Sequence, residues 1–352
     1  MAFTVPTYSK TQVNWAGDLV SRNMTMEELA DAKLDELIEA HQIVTNWRAS
    51  HAYPINTFQA TLRKKLKSIE EKALVAQRLK RMPSILAKLQ RFKGMKLARM
   101  QDIGGLRAVV SSMSRLRRLE KAYMDADFAH EFVSVSEYIE KPKEDGYRSI
   151  HLVYRYQNER APAYKGLLIE LQIRTRLQHA WATAVETMGT FLGQALKSGQ
   201  GDLAWREFFR VSGAALAQVE RSDPVPGFEK SSRKETFQAV AAAERELRVL
   251  DRLRGFSIAA DRITTERGHG AYHLVILDSV TKSVIIRPYP KARLEEANKD
   301  YADFEKRAAN GEKFEIVLVS AGPVEALRRA YPNYFLDTNE FIGQIERVIA
   351  DV

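Results

Sequence analysis

Two acids and a small set of cations, far apart in the chain, are the side chains best suited to chemistry. Arg78, Lys80, Ser84 and Lys88 stand at offsets 0, +2, +6 and +10, with Pro83 among them. A phosphate chain of about four negative charges needs several converging cations, and at an effective dielectric near 20 each opposite pair 4 Å apart is worth roughly 4 kcal/mol. An offset of +2 does not share a face of one straight helix, so convergence requires the break that Pro83 supplies. Asp102 heads the run Asp102-Ile-Gly-Gly-Leu-Arg107. In Glu170-Leu-Gln-Ile-Arg174, strand alternation puts Glu170, Gln172 and Arg174 on one face. Two carboxylates meeting in a cleft repel unless a divalent cation sits between them, and hard oxygen ligands of this type suit Mg²⁺. Solvated acids at strand ends are the alternative.

These residues need elements to hold them. Thr25-Met-Glu-Glu28 reads as a capping box opening a helix to about Trp47; further helices are expected over Phe58–Leu79 and from Pro83 to about Phe92. Alternating, β-branched runs at Leu106–Val110, Phe132–Ile139, Ile150–Tyr156 and Leu167–Ile173 predict strands, with a helix over Ser114–Met124 between the first two. Helical patterns return at Leu177–Ala195 and Leu203–Val219. The segment 222–232, with two prolines and a glycine, is the strongest linker signal. Beyond it we expect a helix over Phe237–Leu253, a hairpin of Tyr272–Leu277 with Val284–Pro288, a helix over Leu294–Ala309, a strand over Phe314–Val319 and two short helices. The domains expected are therefore 1–221, a linker and connecting helix over 222–254, and 255–352.

At 352 residues and 45% hydrophobic composition, the chain can fill more than one core. It has no cysteine, which removes disulfides and thiolate-bound zinc and fits a reducing compartment. The longest apolar runs are strand-sized and the N-terminus lacks a signal pattern, so a cytoplasmic, non-membrane protein is expected. Of the net charge of +9, residues 1–221 carry +10 (34 basic, 24 acidic) and residues 222–352 carry −1 (20 basic, 21 acidic). Residues 51–100 alone hold 13 basic and 2 acidic residues. A polyanionic partner follows, although a solvated helix face would look similar.

The stretches RLKRMPSILAK, QDIGGLRAVV, KPKEDGYRSIHLVY and IELQIRTRLQHAWA, in this order, closely resemble the synthetase domain of the RelA/SpoT-homologue family over about residues 60–190. That family comprises nucleotide pyrophosphokinases. The resemblance implies an α+β fold, a nucleotidyltransferase-like mixed β-sheet wrapped by helices, with a second, smaller α/β regulatory domain. It implies transfer of pyrophosphate from ATP to a ribose 3′-hydroxyl. Arg78, Lys80 and Lys88 would hold the ATP phosphates with help from Ser84. Asp102 would bind Mg²⁺, and Glu170 would share the metal or take the hydroxyl proton. Tyr147 resembles the family's stacking tyrosine for the acceptor base; Arg148, His151, Gln172 and Arg174 belong to the same motifs and would bind acceptor. His179 and Trp181 are expected to pack. No hydrolase half is expected, so the activity would be synthesis only.

The added C-terminal region resembles fused toxin–antitoxin members of the family, small alarmone synthetases of anti-phage defence. In that arrangement a toxic synthetase is restrained by its own second domain, until a phage component releases it. The acceptor would be the 3′-terminal adenosine of tRNA, with Arg63, Lys64, Lys65 and Lys67 on the RNA backbone. Tyr331 and Tyr334, three apart, would plug the adenine pocket, although ordinary packing is the simpler use of such a pair. The alternative is a (p)ppGpp or (p)ppApp synthetase using GDP, GTP or an adenine nucleotide, with the second domain as an allosteric sensor; DNA is not an expected partner.

Overall fold

In the computed structural model the described residues are 3–22, 34–125, 128–192, 196, 201–265, 270–278, 283–310, 312, 314–321, 324 and 334–352. The capping box at Thr25 and Glu28 lies outside them. Among them no helix is long and apolar enough to cross a membrane. Contacts group the chain into two compact units, Met1–Glu137 with Ser149–Thr175, and Tyr138–Arg148 with Arg176–Val352. This grouping does not coincide with the boundary expected at 222, because the helices that follow Thr175 pack with the C-terminal third.

The first unit opens with α1 (Lys10–Val20), capped by Ser9, whose hydroxyl accepts from the Gln12 N–H while the Gln12 side chain accepts from the Ser9 N–H. Then come α2 (Leu34–Ser50), α3 (Ala52–Leu66), β1 (Leu74–Leu79), α4 (Met82–Arg91), β2 (Gly104–Val110), α5 (Met113–Met124), β3 (Glu131–Glu137), β4 (Ile150–Arg155) and β5 (Leu168–Thr175). The five strands form one mixed sheet in the order β1-β2-β5-β4-β3; β2 and β5 run parallel and every other pair is antiparallel. The expected helix over Phe58–Leu79 is thus corrected: it ends at Leu66, and residues 74–79 are the edge strand β1.

The two faces of this sheet have opposite chemistry. Leu106, Ala108 and Val110 line up with Leu171, Ile173, Ile150 and Leu152, all buried, and α3 and α5 cover this side. On the other side the register places Arg78, Gly105, Glu170 and Val153 in one row across four strands, with Arg107, Gln172 and His151 in the next. Because a one-residue slip would exchange the faces, burial of the aliphatic set fixes where the polar set points.

The second unit contains the turn 138–148, α6 (Arg176–Phe191), α7 (Leu203–Glu220), α8 (Arg233–Leu247), α9 (Val249–Thr265), β6 (Tyr272–Asp278), β7 (Ser283–Tyr289), α10 (Leu294–Ala309), β8 (Phe314–Ser320) and α11 (Tyr334–Ala350). Its antiparallel sheet runs β7-β6-β8. Leu274 and Ile276 pack with Ala297 under α10, whereas Val275 and Val319 join the helical core of Trp181, Phe208, Phe256 and Phe341. The helix expected over 237–253 is two helices, broken at Arg248, which adopts φ 50°. After β8, Ala321 and Val324 are helical and Tyr334–Ala350 forms a 17-residue helix; the two short helices expected there fall partly outside the described residues.

Glu244 holds the α8–α9 break: its carboxylate accepts the Leu250 N–H at 3.2 Å. Burial pushes its pKa up to about 7 despite the Leu250 and Val249 N–H groups, with Asp251 adding to the rise and Arg254 opposing it. A raised folded-state pKa contributes stability that is complete below the usual carboxylate range and is lost as pH rises through about 7. Glu244→Gln should therefore match the parent at pH 5 and exceed it at pH 8, by about 1–2 kcal/mol after allowance for solvent screening. Thermal denaturation at the two pH values measures this.

Candidate functional site

Asp102 sits just before β2, and its position follows from the β1–β2 ladder, which continues one step past β1 as the Lys80 N–H donates to the Ile103 carbonyl at 2.8 Å. Lys80 Nζ lies 2.8 Å from Asp102 Oδ2, and Lys88 Nζ, reaching back from α4, lies 2.9 Å from Oδ1. The break that brings these cations together is the β1–α4 junction. Arg78 and Lys80 belong to the strand side of it, Ser84 and Lys88 lie one helical turn apart in α4, and Pro83 occupies the first turn. Arg48 Nε donates to the Lys80 carbonyl at 2.6 Å and fixes the strand end. Burial of Ile85 and Leu89 anchors α4 and leaves Lys88 free to turn toward Asp102.

Burial pushes the Asp102 carboxyl up, but Lys80 and Lys88 outweigh it and hold the acid below the usual carboxylate range. Lys80 is lowered mainly by burial, which Asp102 partly offsets and Arg78 and Lys88 reinforce. Arg78 itself is exposed, on the polar face opposite Gly105.

Glu170, in the middle of β5, is held by a second set of contacts. His151 Nδ1 lies 2.8 Å from Oε1, and Gln172 Nε2 donates to Oε2 at 2.8 Å. Burial raises the pKa of Glu170, the hydrogen bond and charge of His151 overcome that rise, and Gln172 adds to the lowering; the net is an acid held below its usual range. The charge of Asp102 opposes the ionisation of Glu170, so the two acids lie within electrostatic reach of each other. Between Arg78 and Glu170 the row is interrupted by Gly105. A Cβ built there would lie 3.7 Å from the Arg78 and Glu170 carbonyl oxygens, an ordinary van der Waals contact. The outcome is two ionised carboxylates and three cations around a gap in the side-chain layer, an arrangement that suits a phosphate chain with a hard divalent cation. Asp102 and Glu170 supply hard oxygen ligands for such an ion, and one or two carboxylates are the usual protein share of a magnesium nucleotide site. Among the described residues no group of three or more His, Cys, Asp or Glu forms a metal cluster.

The remaining predicted residues divide between contact and support. Arg174 is 2% exposed and donates to Gln172 Oε1 at 3.2 Å, completing a chain Arg174–Gln172–Glu170 along β5. It orients the acid from below, where the sequence suggested acceptor contact. Arg148 is likewise 2% exposed, with its guanidinium 2.6 Å from Glu220 and 2.9 Å from Ser222 Oγ. Tyr147, partly buried, sits at the end of a closed turn in which Gly146 N–H donates to the Lys143 carbonyl at 2.9 Å and Tyr147 N–H to Asp145 Oδ1 at 2.9 Å. His179 and Trp181 are buried, His179 Nε2 being 3.1 Å from Asp337 and Trp181 Nε1 donating to the Phe209 carbonyl at 2.9 Å. Of the cations assigned to a polyanion, Arg63, Lys64 and Lys67 are exposed. Lys65 instead donates to the Ala122 carbonyl at 2.6 Å over the ring of Tyr123. Tyr331 lies outside the described residues, as does the side chain of Tyr334, whose backbone begins α11. Sequence reasoning missed Arg48, Gly105 and Glu220; only the Gly104-Gly105 doublet carried a signal.

Residues 77–189 match the family model described as the region found in RelA / SpoT proteins. The GTP pyrophosphokinase YjbM of Bacillus subtilis is 38% identical over 113 residues, which are 31% of this chain and 52% of that protein. The chain thus spans about half the length of the curated relative it matches. Among solved structures, small alarmone synthetase 1 of Bacillus subtilis bound to its product pppGpp is similar at 24% identity, over 49% of this chain and 89% of that one, with a TM-score of 0.43. A GTP pyrophosphokinase family protein of Streptococcus pneumoniae is similar at 22% identity, over 56% and 91%, with a TM-score of 0.42. A RelA/SpoT-type region therefore occupies the segment that contains Arg78, Asp102, Tyr147 and Glu170.

Replacing Asp102 by Asn would leave Lys80 and Lys88 facing each other without a counter-charge. Asp102→Asn should lower stability at pH 7 by about 1–3 kcal/mol. Because a lowered carboxylate pKa contributes stability that is lost only as pH falls below the usual carboxylate range, the gap between variant and parent should persist at pH 5 and narrow toward pH 2. Denaturant unfolding at these pH values reads this directly.

Proposed function

We propose that this protein is an ATP-dependent pyrophosphokinase that transfers the β,γ-diphosphate of ATP to a ribose 3′-hydroxyl. The observation that carries the reading is the pairing of Asp102 with both Lys80 and Lys88, beside a Glu170 held ionised by His151 and Gln172. Transfer of this kind needs in-line placement and charge neutralisation more than covalent help from the protein. Arg78, Lys80 and Lys88 bind the triphosphate, with Ser84 at the first turn of α4. Asp102 would hold Mg²⁺, which when bound would neutralise charge on the phosphates, and this leaves Glu170 as the proton acceptor. The acceptor 3′-oxygen attacks the β-phosphorus and its proton passes to Glu170. The bond from the β-phosphorus to the bridging oxygen breaks, and AMP leaves with that oxygen. Tyr147 stacks on the acceptor base, a contact worth about 1–3 kcal/mol that tolerates any purine.

For the acceptor we favour the 3′-terminal adenosine of tRNA. Support comes from the 13 basic residues among positions 51–100, and from the exposure of Arg63, Lys64 and Lys67 on and just after α3. On this reading the C-terminal region restrains the enzyme through Tyr331 and Tyr334, and a phage protein binding that region releases it. A nucleotide acceptor, GDP or GTP, is the second reading, favoured by the 38% identity to a GTP pyrophosphokinase.

Incubating the protein and its Tyr331→Ala/Tyr334→Ala variant with γ-labelled ATP and either bulk tRNA or GDP and GTP decides between them. Label at the tRNA 3′ end, increased at least tenfold by the double variant and suppressed by salt, is expected. Label on guanine nucleotides selects the second reading, and label on neither acceptor refutes the pyrophosphokinase. In the same assay Gly105→Leu should cut transfer at least a hundredfold while leaving the melting temperature within a few degrees, since its Cβ meets nothing closer than 3.7 Å and its side chain lies on the polar face of the sheet.

A further inference from the structure

The turn that presents Tyr147 is built on a helix outside the RelA/SpoT region. That region ends at residue 189, whereas α7 begins at Leu203. Gly146 adopts φ 90°, and a Cβ on it would lie 3.2 Å from the Phe209 and Arg210 carbonyl oxygens and from Gly213 Cα. From the other side, a Cβ on Gly213 would lie 2.8 Å from Gly146 Cα and Gly146 O. The turn therefore rests on the helix backbone to backbone, and a distance below 3 Å to main-chain atoms leaves no side chain to swing aside. One of the two elements must move if Gly213 gains even a methyl group.

A second attachment lies on the far side of Tyr147. Arg148, buried to 2% exposure, joins Glu220 at 2.6 Å and Ser222 at 2.9 Å, and Gln178 Nε2 donates to the same Glu220 oxygen at 3.2 Å. Glu220 is the last residue of α7 and Gly213 lies two turns earlier. Tyr147 is thus bracketed by two contacts to one helix, at the residue before it and the residue after it. The same helix receives Trp181 Nε1 through the Phe209 carbonyl, and the rings of Trp181 and Tyr147 lie 6.3 Å apart at 62°. Beside the turn is a cavity of about 700 Å³, lined by Tyr147, Lys143, Trp181, Val185, Phe209 and Arg206 among others.

We propose that α7 is a positioning element for acceptor binding, with Gly213 and the Arg148–Glu220 pair setting where Tyr147 stands. The inference rests on the reading of Tyr147 as the ring that stacks on the acceptor base. Neither residue touches substrate; both act through the turn. A tightly held turn presents a preorganised stacking surface, so loosening it weakens acceptor binding while leaving the ATP cations alone.

The test uses the full chain, with steady-state kinetics for ATP and for whichever acceptor takes label, together with amide hydrogen exchange of residues 142–148. Gly213→Ala is expected to raise the acceptor KM at least tenfold with the ATP KM within twofold, and to speed exchange in the turn. Combined with Tyr147→Ala it should cost no more than Tyr147→Ala alone, because both act through one ring. An unchanged acceptor KM, a parallel loss for ATP, or additivity with Tyr147→Ala overturns the proposal. If Gly213→Ala does not fold, Glu220→Gln, which keeps shape and removes the charge, is held to the same criteria with a threefold threshold. If Tyr147→Ala leaves the acceptor KM unaltered, the stacking reading itself fails, and exchange alone then decides whether α7 holds the turn: faster exchange upholds the attachment, unchanged exchange overturns it.

Discussion

Asp102 between two lysines is the constraint on which the rest of the first unit depends. A half-buried carboxylate is costly, and so are two ammonium groups brought to within 3 Å of the same residue; each is tolerated because of the other. The set stays together only if the end of β1, the start of β2 and α4 converge. The ladder step from Lys80 to Ile103 and the Arg48 hydrogen bond to the Lys80 carbonyl make them converge. A bound magnesium nucleotide would replace these internal pairs with stronger external ones: phosphate oxygens for the lysines and the cation for the acid. The ion pairs therefore keep the charged groups in place without a ligand, at little net gain in stability.

Glu170 is arranged by different means. Its partners come from the same strand and from the neighbouring one, and none is a permanent cation of the Lys or Arg type. Gln172 is in turn oriented by the buried Arg174, so the guanidinium charge reaches the acid only through an intervening amide. That separation matters for proton transfer. A carboxylate locked against a guanidinium would be too weak a base, whereas one held by an imidazole and an amide stays ionised and still able to accept a proton.

Much of this could be read from the sequence, and the parts that could not share a physical cause. Strands β2, β4 and β5 announce themselves by alternation, and the residue types at Asp102, Glu170 and Tyr147 stand out against it. β1 does not. Leu74-Val-Ala-Gln-Arg-Leu79 contains good helix formers and follows a helix, and only its pairing with β2, thirty residues on, makes it a strand. The break at Arg248 is equally silent, since neither glycine nor proline marks it and the left-handed residue is an arginine held by its surroundings. For Arg148 and Arg174 the motif resemblance implies acceptor contact, and both are buried. Their burial depends on partners, Glu220 in one case and the β5 chain in the other, that no local pattern displays.

The same logic explains why motif and support separate along this chain. The residues proposed for phosphate chemistry fall within 77–189, and on that proposal the geometry of a triphosphate would constrain their spacing. The supports of Tyr147 fall at Gly213 and Glu220, in a helix whose other side is committed to the hydrophobic core of the second unit through Phe208, Leu216 and Trp205. A motif fixed by ligand chemistry can therefore sit on a support free to differ, provided the support offers a glycine where the turn lands and an acid where Arg148 arrives. In this chain Phe237, Phe256 and Phe341 share one packed core with that helix, and Tyr147 packs against the same core.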